Sequence, residues 1–288
     1  TSSVVFVKPS TQGGNDSNDG TSWATAVATV QKGIDLAYVT GNCEVWVAAG
    51  SYVPSSTITL KSGVGLYGGF AGTETAREQR NWSTHRTVLD GNDSRTVVSV
   101  QSGSPAAYTI IDGFTIQRGS ATGGAGIYCS SASATIRHNR IMLNRASSGG
   151  GGISCYSSAS VIANNWIVGN TAQEYYGGFD GYYAGTGAGI NLQSFTGSVI
   201  NNTIAANEAL SDGGGVYVKS STTAQFKNNI IAFNSSGVYV YERSAQNQCW
   251  SKNFAYGNAI YQYSWTETPP NTDIYPITDP KFLNPASG

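Results

Sequence analysis

The sequence predicts an all-β chain wound into a solenoid, and three observations predict it. A block of residues recurs along the second half of the chain, apolar and polar residues alternate strictly within each block, and charge is scarce while glycine is abundant. The recurrence is visible in "GAGIYCSSASATIRHNRIMLNRA", "GGGISCYSSASVIANNWIVGNTA", "GAGINLQSFTGSVINNTIAANEA" and "GGGVYVKSSTTAQFKNNIIAFNSS". The glycines before Ile or Val are Gly126, Gly152, Gly189 and Gly215, spaced 26, 37 and 26. The second residue of each His-Asn or Asn-Asn pair is Asn139, Asn165, Asn202 and Asn229, spaced 26, 37 and 27. Two independent anchors agree, and one insertion between the second and third blocks accounts for the long step. A unit of this length built from two-residue alternations is the signature of stacked coils.

Alternation assigns direction, because successive side chains of a strand point to opposite faces. Ile127/Cys129, Ile153/Cys155, Ile190/Leu192, Val216/Val218 and Val238/Val240 are expected to fill the tube. Each coil is expected to hold three short strands, with coils about 4.8 Å apart and like residues in ladders. Asn139, Asn165, Asn202 and Asn229 are expected to stack at a turn, each amide bonding its neighbours, since Asn tolerates the left-handed conformation such turns need. Cys129 and Cys155 fall at one place in successive repeats and read as stacked interior thiols, with a bridge between them as the alternative. Cys43 and Cys249 could bond only if the chain ends met, which a solenoid does not favour.

Composition narrows the class further. Only 11% of the 288 residues are charged and the formal net charge is −1, so nothing draws the chain to nucleic acid or an anionic membrane. No stretch approaches the length of apolar sequence that spans a bilayer. The opening "TSSVVFVKPS" carries neither an initiator Met nor a leader and reads as a processed or trimmed start, so export is inferred rather than seen. The whole of 1–288 reads as a single domain: a first strand and cap helix in 1–42, coils over 43–245 and a Pro-rich tail over 246–288. The helix is expected within 23–39, where Val27, Val30, Ile34 and Ala37 share one face and would close the open end of the tube.

"FVKPSTQGGNDSNDGTSWATAVATVQKGID", "VWVAAGSYVP", "VGLYGGFAGTET", "QRNW", "TVLDGN", "IDGFTI" and "TDPKFLNP" together resemble bacterial secreted right-handed parallel β-helix proteins of the pectate-lyase-like and polymorphic outer-membrane-protein-like kinds. The resemblance covers almost the whole chain. It implies a single-stranded right-handed parallel β-helix with an N-terminal capping helix, located outside a bacterial cell or on its surface. Such proteins include lyases, hydrolases, epimerases and non-catalytic surface proteins, so the fold alone assigns no chemistry. The Asp-Asp pair of a hydrolase is missing from the expected strand position, and no clear lyase calcium cluster is present.

Function on such a scaffold falls to outward residues and to inserted loops. The residues between the inward positions are Tyr128, Ser154, Tyr156, Asn191, Gln193, Tyr217, Lys219, Tyr239 and Tyr241. A strip of phenols and amides without acids suits pyranose rings, whose C–H faces pack on aromatic rings while hydroxyls hydrogen-bond. The insertion 173–187, "QEYYGGFDGYYAGTG", adds Tyr175 and Tyr176 beside Asp180 and is expected to overhang the same face. Tyr128, Tyr156, Tyr175, Tyr176, Asn191, Gln193, Tyr217, Tyr239 and Tyr241 are therefore the candidate substrate-binding residues.

A uronate lyase needs a base and a cation to stabilise the resulting anion, and Lys219, Arg243 and Asp180 are the candidates. A hydrolase needs two carboxylates, which Asp180 with Asp212 or Glu242 could supply. "NDSNDG" (15–20) looks acidic enough for calcium, but Val27 stands where an EF-hand needs its twelfth-position Glu, so a structural turn is the better reading. No cofactor is required on this reading, and Ca²⁺ is permitted rather than demanded. His138 replaces the first Asn of a turn pair and reads as structural.

These residues lead to an extracellular bacterial β-helix that binds a neutral or weakly acidic polysaccharide or oligosaccharide and cleaves it as a lyase or glycoside hydrolase. The alternatives are a non-catalytic adhesin or glycan-binding module, and a passive spacer. The expected partner is the glycan, with no nucleic acid and no membrane span; the chain is expected to be a monomer or part of a larger anchored protein.

Overall fold

A computed structural model describes residues 4–41, 44–173, 185–220, 223–241 and 249–264, together with the backbone of 175–177 and 181–183. The chain coils into a tube whose long sheets are parallel throughout. In the central coils the order is Ile127–Ser130, Thr135–Arg137, Arg140–Met142 and Arg145–Gly149, after which the chain returns to Ile153–Tyr156 directly beneath the first strand. The coils thus have four strands rather than the three expected, because a second corner follows each Ile-x-x-Asn. The stacked strands form four walls. The tyrosine wall has eight strands from Ile58–Leu60 to Tyr263–Ser264, and the clamp wall has nine from Val4–Val7 to Cys249–Ser251. The apolar wall has eight from Gly50–Tyr52 to Phe254–Tyr256, and the short wall has four.

The tube is filled as parity dictates. Val98, Ile127, Ile153, Ile190, Val216 and Val238 stand in one register and are completely buried. Each such side chain contributes about 1.5–3 kcal/mol relative to exposure. Cys129 and Cys155 are adjacent in register, buried and free, and Cys155 is pushed well up by its hydrogen bond to Cys129 and by burial. Cys249, on the last strand of the clamp wall, is exposed and free. The glycine column is set by close approach, since a Cβ on Gly152 would lie 2.6 Å from the carbonyl oxygen of Gly189.

The corners are built by asparagine, in two ladders rather than the one expected. Asn139, Asn165, Asn202, Asn229 and Asn253 form the first; Asn144, Asn170, Asn207, Asn234 and Asn258 form the second, and all are buried. Asn165 Nδ2 donates to Asn202 Oδ1 at 3.0 Å and to Ile136 O at 2.9 Å, while its Oδ1 accepts from Asn139 N and Nδ2 at 3.0 and 3.2 Å. Both ends of the amide are satisfied, as burial requires. The left-handed backbone belongs to the residue before each ladder member: His138 (φ 53°), Asn164, Asn201 and Asn228 (each φ 55°). The pair divides the labour, the first residue making the bend and the second the stack.

At the open end the helix runs over Val30–Thr40, later than the residue-23 start allowed by its periodicity. Val27 has the right spacing but pairs as an isolated parallel bridge with Val7. The helix starts where Thr29 accepts from Lys32 N, and Asp16 fixes that cap by accepting from Ala28 N at 2.8 Å, Thr29 N at 2.9 Å and Thr29 Oγ1 at 2.8 Å. The acidic 15–20 segment is therefore a capping turn. Val30, Ile34 and Ala37 are buried against the first coil.

Candidate functional site

The tyrosine wall carries the outward strip in the expected register. One column is Tyr128, Ser154, Asn191, Tyr217 and Tyr239; the other is Ser130, Tyr156, Gln193, Lys219 and Tyr241. All nine residues read as outward remain at least partly exposed. Tyr217 and Tyr239 stack with centroids 5.6 Å apart and planes 4° apart. Tyr239 also meets Tyr241 at 6.5 Å and Tyr261 at 6.2 Å. Lys219 Nζ lies 5.3 Å over the Tyr241 ring.

This geometry changes how a sugar could sit there. Stacked along the tube axis, Tyr217 and Tyr239 cover each other's facing surfaces and offer edges and hydroxyls. Tyr156 and Tyr241, each 44% exposed, present the open ring surface. They share a column and stand three coils apart, about 14 Å. Asn191 points outward, but its Nδ2 donates to Thr186 Oγ1 at 3.0 Å and to Thr186 O at 3.3 Å, fixing the base of the insertion.

Tyr261 reinforces the cluster, although its lack of coil register hid it in the sequence. Its hydroxyl donates to Asp212 Oδ1 at 3.0 Å and accepts from Gly213 N at 3.0 Å, and burial pushes the phenol up to about 12. Tyr239 is also raised, first by burial and then by the Asp212 charge, so both phenols stay protonated donors at neutral pH.

The insertion forms an antiparallel ribbon in which Tyr175 pairs with Tyr183 and Tyr176 with Tyr182. The side chains of Tyr175 and Tyr176 lie outside the described residues, as do Asp180, Glu242 and Arg243. Of the catalytic trio, only Lys219 is therefore placed; Asp212 lies before the start of the same strand, Val216–Lys219, where it is hydrogen-bonded by Tyr261.

A second polar constellation lies on the clamp wall and was not singled out by sequence. Asp112 is fully buried there and receives three partners: Arg80 Nη2 at 2.8 Å, Arg137 Nε at 2.7 Å and His138 Nδ1 at 3.1 Å. Burial alone would raise its carboxyl, but the His138 hydrogen bond, the Arg80 charge and the Arg137 hydrogen bond together hold it below its ordinary value. Arg80 is sandwiched between Tyr67 (5.2 Å) and Trp82 (4.9 Å), and Trp82 stacks on His138 at 5.1 Å. Arg77 reaches Glu44 and the Tyr67 hydroxyl.

Residues 71–86 are thereby clamped over the wall. Glu74 ties down the start of this segment, its carboxylate accepting from Ala71 N at 2.6 Å and from Gly72 N and Thr73 N at 3.0 Å. His138 keeps its turn role but is also one of Asp112's partners. The available signal was its departure from Asn164, Asn201 and Asn228 at the same corner. Among the described residues, no three His, Cys, Asp or Glu side chains are grouped to hold a metal ion.

Continuous parallel walls, inward aliphatic columns and corner asparagines define the class of protein as a parallel β-helix. A family model for the right handed beta helix region matches residues 80–269, about two thirds of the chain, and the chain belongs to that family. No curated protein and no solved structure matches it.

Proposed function

We propose that this right-handed β-helix binds polysaccharide along the tyrosine wall. The observation that carries the reading is the clustering of Tyr217, Tyr241 and Tyr261 about the Tyr239 ring, with Lys219 over Tyr241 and Gln193 in register with Lys219. Phenol edges and amides suit sugar hydroxyls, and the exposed rings of Tyr156 and Tyr241 suit the C–H faces of pyranoses. The resemblance to secreted bacterial β-helix proteins supports a location outside the cell or on its surface, where long glycans are met.

Binding without cleavage is the form tested first, since Asp180 and Glu242, the other candidate carboxylates, lie outside the described residues. Hydrolysis needs two converging carboxylates, and Asp212 is engaged by Tyr261. The test is affinity electrophoresis on a panel of neutral and acidic polysaccharides, with parallel assays for reducing ends and unsaturated products. Retardation by at least one glycan that is relieved in Tyr241→Ala, without product, is the expected result. Product that disappears in Lys219→Ala would establish cleavage instead, and no retardation on any glycan would overturn the proposal.

A further inference from the structure

The clamp wall has more hydrogen-bond donors than its own acceptors use. Arg137 gives Nε to Asp112, and its two terminal nitrogens find no acceptor among the described residues. His138 Nδ1 lies 3.1 Å from Asp112 Oδ1, and its Nε2, a donor or an acceptor according to tautomer, has no partner among the described residues. Both are partly exposed, and none of these nitrogens is sealed from solvent. The indole Nε1 of Trp82 likewise has no acceptor among the described residues, and 42% of the Trp82 surface is open. At the centre of the cluster one carboxylate, Asp112, faces two guanidinium groups, Arg80 and Arg137.

Position in the repeat sharpens the point. The outward column reads Asp112, Arg137, Ala163, Ile200, Lys227, and the corner column reads His138, Asn164, Asn201, Asn228. A solenoid that needs only a corner uses Asn, and the wall column accepts Ala, Ile or a lone Lys. In this coil alone, Arg and His are adjacent under a tryptophan held by a clamped loop. Stability requires neither the free Arg137 nitrogens nor His138 Nε2.

We propose that Arg137, His138 and Trp82 form a site for the carboxylate of a single acidic sugar residue. Arg137 offers paired N–H groups in a plane that matches a carboxylate, His138 Nε2 and the indole N–H reach the ring hydroxyls, and the open indole meets its C–H surface. Asp112 acts as the positioning residue, fixing the Arg137 and His138 side chains. The site rests on the glycan reading for its sugar but is independent of the tyrosine wall, which lies on another side of the tube.

The chain has only two histidines, His85 and His138, so imidazole NMR signals report directly on the site. The full chain is titrated with methyl glucuronide and with methyl glucoside, which differ only by carboxylate against hydroxymethyl, the His138 signals being assigned with His85→Gln. The expected result is a saturable shift of His138 with the glucuronide alone, weakened about tenfold or more in Arg137→Ala and unchanged in Tyr239→Ala. Arg137→Ala leaves Asp112 with Arg80 and His138, and unchanged melting of that variant separates lost binding from lost fold. Equal shifts with both sugars, an equal shift with sodium sulfate at matched ionic strength, or no shift with the glucuronide would each overturn the site. Loss of glycan retardation in Tyr241→Ala with the His138 response intact would separate the two surfaces.

Discussion

The tyrosine wall and the clamp wall share the same coils, yet they handle polar atoms in opposite ways. On the tyrosine wall, outward side chains vary from coil to coil, and where they repeat, as Tyr217 and Tyr239 do, they touch the neighbour one coil away. On the clamp wall, Asp112 gathers Arg80, Arg137 and His138 from a loop and the following coil, and excludes water from the centre. The backbone therefore guarantees the spacing of a surface but not its energetics. A ladder of exposed rings can be changed one rung at a time, whereas a buried charge surrounded by partners cannot.

The largest expected effect is at Asp112. Asp112→Ala leaves Arg80, whose side chain is 8% exposed, without its carboxylate and should destabilise the chain by about 3–5 kcal/mol in denaturant unfolding. The pH dependence has a definite sign. The folded carboxyl lies below its ordinary value, so its contribution is full above the unfolded carboxylate pKa and is lost as pH falls through the depressed folded value. Asp112→Asn should flatten that acid limb, and an acid limb as steep as the parent's would show that Asp112 does not provide it.

Next in size is the interior of an amide ladder. Asn165→Ala removes the acceptor of two Asn139 donors and the donor to Ile136 O, a loss on the order of 3 kcal/mol. Asn164→Ala, one residue earlier, should cost about 1 kcal/mol, the strain of placing alanine in the left-handed region. Comparable losses at the two sites would erase the division of labour within the pair.

The smallest stability effect belongs to the tyrosine wall. Tyr241→Ala should shift stability by no more than about 0.5 kcal/mol, since Tyr241 is 44% exposed, while reducing glycan retardation. A large fall in melting temperature would make that ring a structural element rather than a binding surface.

What could be read from sequence follows from the same contrast. Direction and register were legible at Ile153, Cys155, Tyr217 and Tyr239, because a coil that repeats imposes one parity on every equivalent residue. The second Asn ladder was present in the Ile-x-x-Asn spacing, but its meaning required knowing that a fourth strand begins there. Val27 matched a helical face because residue spacing alone does not distinguish a helix turn from a bridge to Val7. The Asp112 cluster was hidden for a different reason. Arg80 comes from a loop outside the repeat, and only the fold brings it to Asp112, though His138 was visible as a substitution within an otherwise uniform column of asparagines.

The second amide ladder ends differently from the way it runs. Asn258 Nδ2 donates to Gln262 Oε1 at 2.7 Å, and Gln262 Nε2 turns back to Asn258 O at 3.1 Å. The longer side chain closes a hydrogen-bonded loop at the rung where a further asparagine would otherwise stack. Gln262 is thus a stop codon written in geometry for this ladder: its amide takes the place of the next asparagine and turns the run of hydrogen bonds back on itself.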